Sequence, residues 1–178
     1  DAKELPKTSQ PAIGKFVELY DRLGTDGDTI VSIHMTSGMS GTYSTACAAA
    51  NMSSSTVIVV DSQMISLALG FQVLEAAAMT QQGADADAIV KRLKAILDHT
   101  SLYVVVETLD NLVKGGRVGK AVGWLSSILS IKPIAMLDKG VYTPLTKVRT
   151  SSQIIRTLVE RFEMETAGKT VRGVGISH

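Results

Sequence analysis

Cysteine and aromatic residues are scarce in this chain of 178 residues, and charge of one sign is not concentrated anywhere in it. The single cysteine, Cys47, excludes an intramolecular disulfide framework and favours a reducing compartment. Its alanine-rich surroundings are more typical of a small buried helix residue than of a reactive thiol. Aromatic residues make up 4% of the chain and the net charge is +1, which argues against a nucleic-acid surface. The three histidines and one cysteine show no metal-ligand spacing.

Long apolar runs are also absent. No run approaches the roughly 20 residues of a membrane-spanning helix, and no signal peptide is recognisable. These absences predict a cytoplasmic protein without an integral membrane segment. The chain starts without methionine and stops at residues 174–178, inside an apolar pattern typical of a buried strand. We therefore expect a piece of a longer protein, truncated at both ends.

Apolar residues amount to 45% of the chain, enough for a sizeable core. Up to about residue 100, short β-branched runs alternate with helical periods, and the run at 56–60 is almost continuously apolar, as in a parallel sheet covered on both faces. We predict a first domain, residues 1–100, built on a parallel doubly wound sheet. Its predicted strands span 29–33 and 56–60, and its predicted helices span 11–23, 42–52, 66–82 and 86–99.

The pattern changes after residue 100, where Asp138-Lys139-Gly140 is a hairpin signal between two apolar runs. Pro133 places its strand at an edge or a bulge. We predict a second α/β domain, residues 101–178, with a mixed sheet that is incomplete in this chain. Its predicted strands span 102–106, 131–137, 141–143, 145–149 and 171–177, and its helices span 109–114, 120–129 and 151–166, the last capped by Ser151 or Ser152.

One loop is rich in hydroxyl groups and glycines. The hydroxyl loop, residues 34–42, follows a predicted parallel strand, where open sheets bind ligands, and it leads into a helix N-terminus, which favours an anion. A capped helix start is the plain alternative, but one hydroxyl would satisfy a cap and this loop has four. We therefore predict an oxyanion site here. His34 fits a structural hydrogen bond as well as a functional role.

A second candidate is the glycine turn, residues 115–120. Its glycines allow the backbone to approach a ligand, and Arg117 could hold a carboxylate or phosphate with two hydrogen bonds. A tight turn with a solvated arginine explains the same residues equally well, and Arg149 is more simply read as exposed. The sequence contains no nucleophile elbow, Walker A sequence or dinucleotide fingerprint, so the motifs exclude common catalysts without identifying a ligand.

Several blocks of the sequence, taken in order, resemble the DegV family. Together they cover nearly the whole chain, and the ordered set is far more specific than any single block. The matching blocks are residues 8–11, 37–43, 60–62 followed by 66–70, and 109–120, with further matches at 131–134 and 147–149.

The resemblance implies a two-domain α/β protein that encloses a long-chain fatty acid between its domains. Members of the family are lipid-binding subunits of bacterial fatty acid kinase, which makes acyl phosphate for phospholipid synthesis. The resemblance thus implies a carrier without turnover of its own, with a bound fatty acid but no cofactor. It would present the carboxylate to a kinase partner that supplies ATP and metal. Family members also have an N-terminal strand with an Asp-Ser loop and a C-terminal histidine near the carboxylate, both of which lie outside this chain.

The site residues follow from the same resemblance. Arg117 and Arg149 are expected in a region that meets the kinase or takes part in phosphotransfer. We place Arg117 away from the carboxylate, because a tight arginine clamp would hold the electrons that must attack a phosphate. The residues expected around the fatty-acid carboxylate are Thr8 and Ser40, with Ser37 and Gly41 beside them and His34, Ser9 and Thr42 behind them.

Burial of a palmitate-sized tail contributes about 0.8 kcal/mol per CH₂, or roughly 10 kcal/mol before the costs of association. The apolar helix at 67–79 is a candidate wall for that tail, although core packing explains most of its apolar residues.

Two other functions stay open. A stand-alone phosphotransferase or acyl hydrolase would use the segment between Ser37 and Ser40 and would need a base, for which His34 is the nearby candidate. A regulatory module would sense the lipid without passing it to a kinase.

Overall fold

The computed structural model describes residues 6–124 and 131–177, and the chain divides into two compact units. The first unit comprises residues 8–100, and the second is formed mainly by residues 101–176. Within the described residues, no helix has the length and apolar character that a bilayer crossing requires.

The first unit alternates strands and helices as its periodicity predicts. Strands β1 (Ile30–His34) and β2 (Val57–Asp61) pair in parallel, with Ile30 opposite Val57 and His34 opposite Asp61. The predicted strands and helices are confirmed, with ends that differ by one or two residues. The elements are α1 (Ile13–Leu23), β1 (Ile30–His34), α2 (Thr42–Ala50), β2 (Val57–Asp61), α3 (Ser66–Gln81) and α4 (Ala86–Leu97).

Helices cover both faces of this sheet, because alternate strand residues point to opposite sides. On one face, Val31, Ile33 and Val60 pack against a buried cluster of Ala76, Ile89 and Leu93 from α3 and α4. On the other face, the Ser32 hydroxyl lies 2.8 Å from the buried Tyr20 hydroxyl of α1. The doubly wound parallel arrangement is therefore confirmed.

The second unit is built on a sheet of three strands, β3 (Tyr103–Val105), β4 (Lys132–Asp138) and β5 (Val141–Val148), in the order β3-β4-β5. Lys139 and Gly140 have φ values of 48° and 77°, the left-handed pair that a two-residue hairpin turn needs, so the predicted hairpin is confirmed. The elements are β3 (Tyr103–Val105), α5 (Asp110–Lys114), a 3₁₀ helix (Gly119–Trp124), β4 (Lys132–Asp138), β5 (Val141–Val148) and α6 (Ser151–Thr166).

The sheet of the second unit differs from the predicted mixed sheet. Both pairings among its described strands are antiparallel, because β4 joins β5 through a tight turn and β3 runs against β4. Residues 171–177, predicted as a further strand, are exposed and have no regular secondary structure. An apolar run forms a strand only beside a backbone that pairs with it, and the described residues supply none there. The α/β class itself is confirmed.

Three smaller predictions have different outcomes. β4 is the central strand among the described ones, so the edge alternative for Pro133 is wrong. Pro133 lies beyond the part of β4 that pairs with β3, and the ladder with β5 is irregular at the next two residues, Ile134 and Ala135, which agrees with the bulge alternative. The cap of α6 is Thr150, not Ser151 or Ser152, because Thr150 and Gln153 form a reciprocal capping box. The predicted helix at 120–129 begins as a 3₁₀ helix, and residues 125–130 lie outside the described ones.

Helix α6 is tied to β3 through a carboxylate. The Ser101 hydroxyl donates to Glu165 Oε2 at 2.7 Å, and the Tyr103 hydroxyl donates to Glu165 Oε1. Burial, together with the hydrogen bond and charge of Glu165, raises the pKa of Tyr103 to about 12. Tyr103 therefore stays a neutral donor to this carboxylate at any ordinary pH.

Candidate functional site

The hydroxyl loop leaves the carboxyl edge of β1 and is anchored at its beginning. Thr36 is fully buried, and its N–H donates to the Met64 carbonyl oxygen at 2.9 Å. Its Oγ1 accepts the Gly38 N–H at 3.1 Å, and its carbonyl oxygen accepts the Met39 N–H at 3.2 Å. These bonds fold residues 36–39 into a compact turn that leads towards α2.

Ser40 and Thr42 form a hydroxyl pair at the start of α2. The Ser40 Oγ lies 2.8 Å from the Thr42 Oγ1 and accepts the Thr42 N–H at 3.2 Å. Both side chains are half-buried. The N-cap of α2 is Gly41, and no side chain makes a capping hydrogen bond there, so Ser40 does not provide the capped start considered as the plain alternative. Its oxygen instead accepts the N–H of the first helical residue and is part of a hydroxyl pair at a helix N-terminus.

Ser37 is positioned by a residue that the sequence had not singled out as a site residue. Its backbone N–H donates to both carboxylate oxygens of Asp61 at 3.3 Å, across 24 residues of sequence, while its own side chain is exposed. Asp61 Oδ1 also accepts the Gln63 N–H at 2.9 Å. The sequence position of Asp61, directly after the second predicted parallel strand, could have indicated that it lies beside the hydroxyl loop. Adjacent parallel strands have their carboxyl ends at the same edge of the sheet.

His34 faces the helix α1 side of the sheet. Its Nε2 lies 2.7 Å from the Ser32 Oγ, and its ring stands edge-on to Phe16 with centroids 5.5 Å apart. Burial lowers the pKa of His34, while the charge of Asp61 acts in the opposite direction. Within the described residues no hydrogen bond joins His34 to Ser37 or Ser40, so the geometry favours its structural role.

The segment before α1 lies beside the hydroxyl loop. A side-chain carbon added at Gly41 would lie 3.2–3.3 Å from the Gln10 carboxamide, so the two residues are in close contact. The structure thus brings Ser9 and Gly41 to one groove, with the exposed Thr8 next to Ser9 in the chain. The groove is open, has a volume of about 510 Å³, and is lined by Ser9, Gln10, Pro11, Ala12, Ile13, Gly41, Ser44, Thr45 and Ala48.

Tyr43 and Cys47 lie one turn apart on α2. The hydrogen bond and charge of Cys47 raise the pKa of the Tyr43 hydroxyl, with smaller contributions from burial and from Asp61. Cys47 lies in the helix as predicted, but it is half-buried and not fully buried. The phenol is therefore neutral beside the hydroxyl loop at neutral pH.

The glycine turn lies in the second unit, and its glycines have structural reasons. Gly119 has φ +55°, and a side-chain carbon there would lie 2.5 Å from the Tyr142 carbonyl oxygen. Gly116 also has a left-handed φ of 70°. The exposed Arg117 donates from Nη1 to the Gly115 carbonyl oxygen. A tight turn therefore explains why glycines occupy these positions, and the Arg117 side chain is exposed at the surface of the second unit.

Arg149 lies between β5 and α6 and is exposed. Its backbone N–H donates to Gln153 Oε1 at 2.8 Å, so its main chain shares an acceptor with the α6 capping box.

The structure places Thr8, Ser37 and Ser40 in the first unit and both arginines in the second. Among the described residues, no group of three His, Cys, Asp or Glu side chains is arranged to hold a metal ion.

Comparison with known proteins gives relatives over the whole chain. A DegV domain-containing protein of Streptococcus pneumoniae is 40% identical over 178 residues, which are 100% of this chain and 63% of that protein. The chain therefore spans less than two thirds of the length of this curated relative.

Two solved structures match the fold. A DegV family protein from Thermus thermophilus, described by its fatty acid binding, has a TM-score of 0.86 and 29% identity over 93% of this chain and 59% of its own. DegV of Bacillus subtilis, described as a fatty acid binding protein, has a TM-score of 0.83 and 37% identity over 92% of this chain and 58% of its own. The family described as "Uncharacterised protein, DegV family" matches residues 1–178, and the chain belongs to the DegV family.

Proposed function

We propose that this protein binds a long-chain fatty acid and holds its carboxylate at the hydroxyl loop. The observation that carries the proposal is the hydroxyl pair of Ser40 and Thr42, half-buried at the start of α2 on the carboxyl edge of a parallel sheet. The solved relatives described as fatty acid binding proteins support the choice of ligand.

The chemistry of the loop suits a carboxylate. A carboxylate in a half-buried site needs donors, and a hydroxyl bonded to a charged acceptor contributes about 1.5–3 kcal/mol. Ser40 can turn its hydroxyl hydrogen outward while its oxygen still accepts the Thr42 N–H. Thr8 supplies a second hydroxyl in the proposal, with Ser37 and Gly41 beside the ligand and Ser9 on the adjoining groove.

Helix α3 offers an apolar surface for an acyl tail. Its inner side is buried through Ala68, Gln72 and Ala76, yet Leu67 and Leu74 on another side are 41% and 68% exposed. These two leucines lie seven residues apart on one helix face, and acyl methylenes placed against them would be removed from water at about 0.8 kcal/mol each. The helix is therefore our proposed wall for the tail.

We further propose that the protein is a cytoplasmic carrier in phospholipid metabolism that presents the bound carboxylate to an ATP-dependent kinase and has no turnover of its own. Neutral hydroxyls support this role, because they hold a carboxylate without withdrawing the electrons that attack a phosphate. Arg117 and Arg149, both exposed in the second unit, are the proposed kinase-facing or phosphotransfer residues.

Mass spectrometry of an organic extract tests the ligand. We expect the denatured, purified full-length protein to release about one equivalent of a long-chain fatty acid. A protein that releases none and takes up none when palmitate is added would contradict the proposed function.

Arg149→Glu tests the kinase role. We expect it to lower acyl-phosphate formation with a fatty acid kinase subunit by at least about tenfold while the extracted fatty acid is unchanged, because a reversed charge repels a partner surface. The matched control is Arg156→Glu, an exposed arginine on α6. If Arg149→Glu instead empties the protein of fatty acid, the residue has a structural role.

A further inference from the structure

Asp61 lies where two loops meet. Since His34 and Asp61 are the last pair of the parallel ladder, the hydroxyl loop and the loop at residues 62–65 leave the same edge of the sheet. Two backbone bonds join them: Thr36 N–H donates to the Met64 carbonyl oxygen at 2.9 Å, and Ser62 N–H donates to the His34 carbonyl oxygen at 3.0 Å.

The Asp61 carboxylate adds a side-chain link between these loops. Its Oδ1 accepts the Gln63 N–H at 2.9 Å from one loop and the Ser37 N–H at 3.3 Å from the other, and its Oδ2 accepts the Ser37 N–H at 3.3 Å. Gln63 has φ 52°, a left-handed conformation that must be held by its surroundings. One carboxylate therefore fixes a backbone N–H group in each loop.

We propose that Asp61 is a positioning residue for ligand binding: its carboxylate holds the Ser37 backbone so that the Ser40 hydroxyl meets the ligand carboxylate. The proposal rests on the proposed function, because it assigns Asp61 to the same site. Asp61 has the charge sign of a fatty-acid carboxylate, so it repels that ligand directly. Its benefit to binding must therefore act through the loop backbone that it orients.

This separation of charge from geometry can be tested with two substitutions. Asp61→Asn keeps Oδ1, which can still accept both the Gln63 and the Ser37 N–H, and it removes the repelling charge. It replaces Oδ2, the second acceptor of the Ser37 N–H, with an NH₂ group that only donates. Asp61→Ala removes the acceptor as well. Asp85 provides the matched control, because its carboxylate accepts the Ala88 N–H at 2.7 Å as the cap of α4 and lies outside the two loops.

Palmitate affinity of the full-length protein should separate the variants. We expect Asp61→Ala to bind about tenfold more weakly, since misplacement of a binding group is costly, and Asp61→Asn to bind at least as tightly as the unaltered protein. Asp85→Ala should lower thermal stability and leave affinity unchanged. Wild-type affinity in Asp61→Ala, or affinity in Asp61→Asn as weak as in Asp61→Ala, would overturn the proposal.

A second readout does not depend on any ligand. Amide hydrogen exchange at Ser37, followed by NMR, should be faster in Asp61→Ala than in the unaltered protein, and unchanged in Asp85→Ala. Unchanged Ser37 exchange in Asp61→Ala would overturn the positioning role even if palmitate binds. If Ser37 exchanges faster in Asp61→Ala but the unaltered protein never binds palmitate, Asp61 does hold the Ser37 backbone. That result would contradict the proposed function alone.

Discussion

Side chains around the hydroxyl loop each have a structural task that the proposed site then uses. Ser40 accepts the N–H of Thr42, the first residue of α2, and also offers a hydroxyl, and Thr36 is buried while its hydroxyl oxygen shapes the turn. The hydroxyls could be predicted from the sequence, because they lie within one short segment after a predicted strand. The role of Asp61 could not be predicted from the sequence, because its contact with Ser37 spans 24 residues and depends on the register of β1 and β2.

His34 should make stability depend on pH. Its pKa is lowered by burial from the ordinary 6.5, so below that value the unfolded chain binds a proton that the folded chain resists. Stability is then fully present above about pH 6.5 and falls as the pH drops towards the lowered pKa of the folded state.

His34→Gln removes this titration, and we expect a smaller loss of unfolding free energy between about pH 7.5 and pH 5.5 than in the unaltered protein. Urea unfolding at the two pH values measures it. His99 and His178 are present in both proteins, so the difference isolates His34. Equal losses in the two proteins would show that burial of His34 has no energetic consequence.

At the scale of elements, periodicity predicted most strands and helices, because packing in each unit follows the apolar pattern. The predicted cap of α6 was one or two residues too late, since Thr150, Ser151 and Ser152 can all cap a helix. Gln153 three residues after Thr150 was the available signal, because it completes the capping box. Residues 171–177 show where prediction from the apolar pattern fails. A strand needs a pairing partner, and the apolar run itself does not reveal whether one is present.

The glycine turn gives a stability prediction at this scale. Gly119→Ala should destabilise the protein by about 1–3 kcal/mol, because it places a side chain at φ +55° and 2.5 Å from the Tyr142 carbonyl oxygen. Gly123→Ala, in the same 3₁₀ helix with nothing within 4 Å, is the matched control. Urea unfolding compares the two, and equal stabilities would mean that the turn relaxes without cost.

For the whole molecule, the alternation of strands and helices was enough to predict the α/β class and the parallel sheet of the first unit. The antiparallel order of the second sheet was only partly predictable, since the hairpin signal at Lys139 and Gly140 specifies one pairing and leaves β3 undetermined. The predicted division near residue 100 already separated Arg117 and Arg149 from the hydroxyls of Thr8 and Ser40, and the two compact units separate them in the same way.

The Ser40 hydroxyl is the group that matters most to the proposed binding of the carboxylate. Titration of the full-length protein with a labelled long-chain fatty acid should show Ser40→Ala binding about tenfold to a hundredfold more weakly, the loss of one hydroxyl bond to a charged acceptor. Ser54→Ala is the matched control, because the Ser54 Oγ donates to Asp21 Oδ1 at 3.0 Å near the amino end of β2, at the opposite edge of the sheet. It should bind like the unaltered protein. Unchanged affinity in Ser40→Ala would contradict the placement of the carboxylate at the hydroxyl loop.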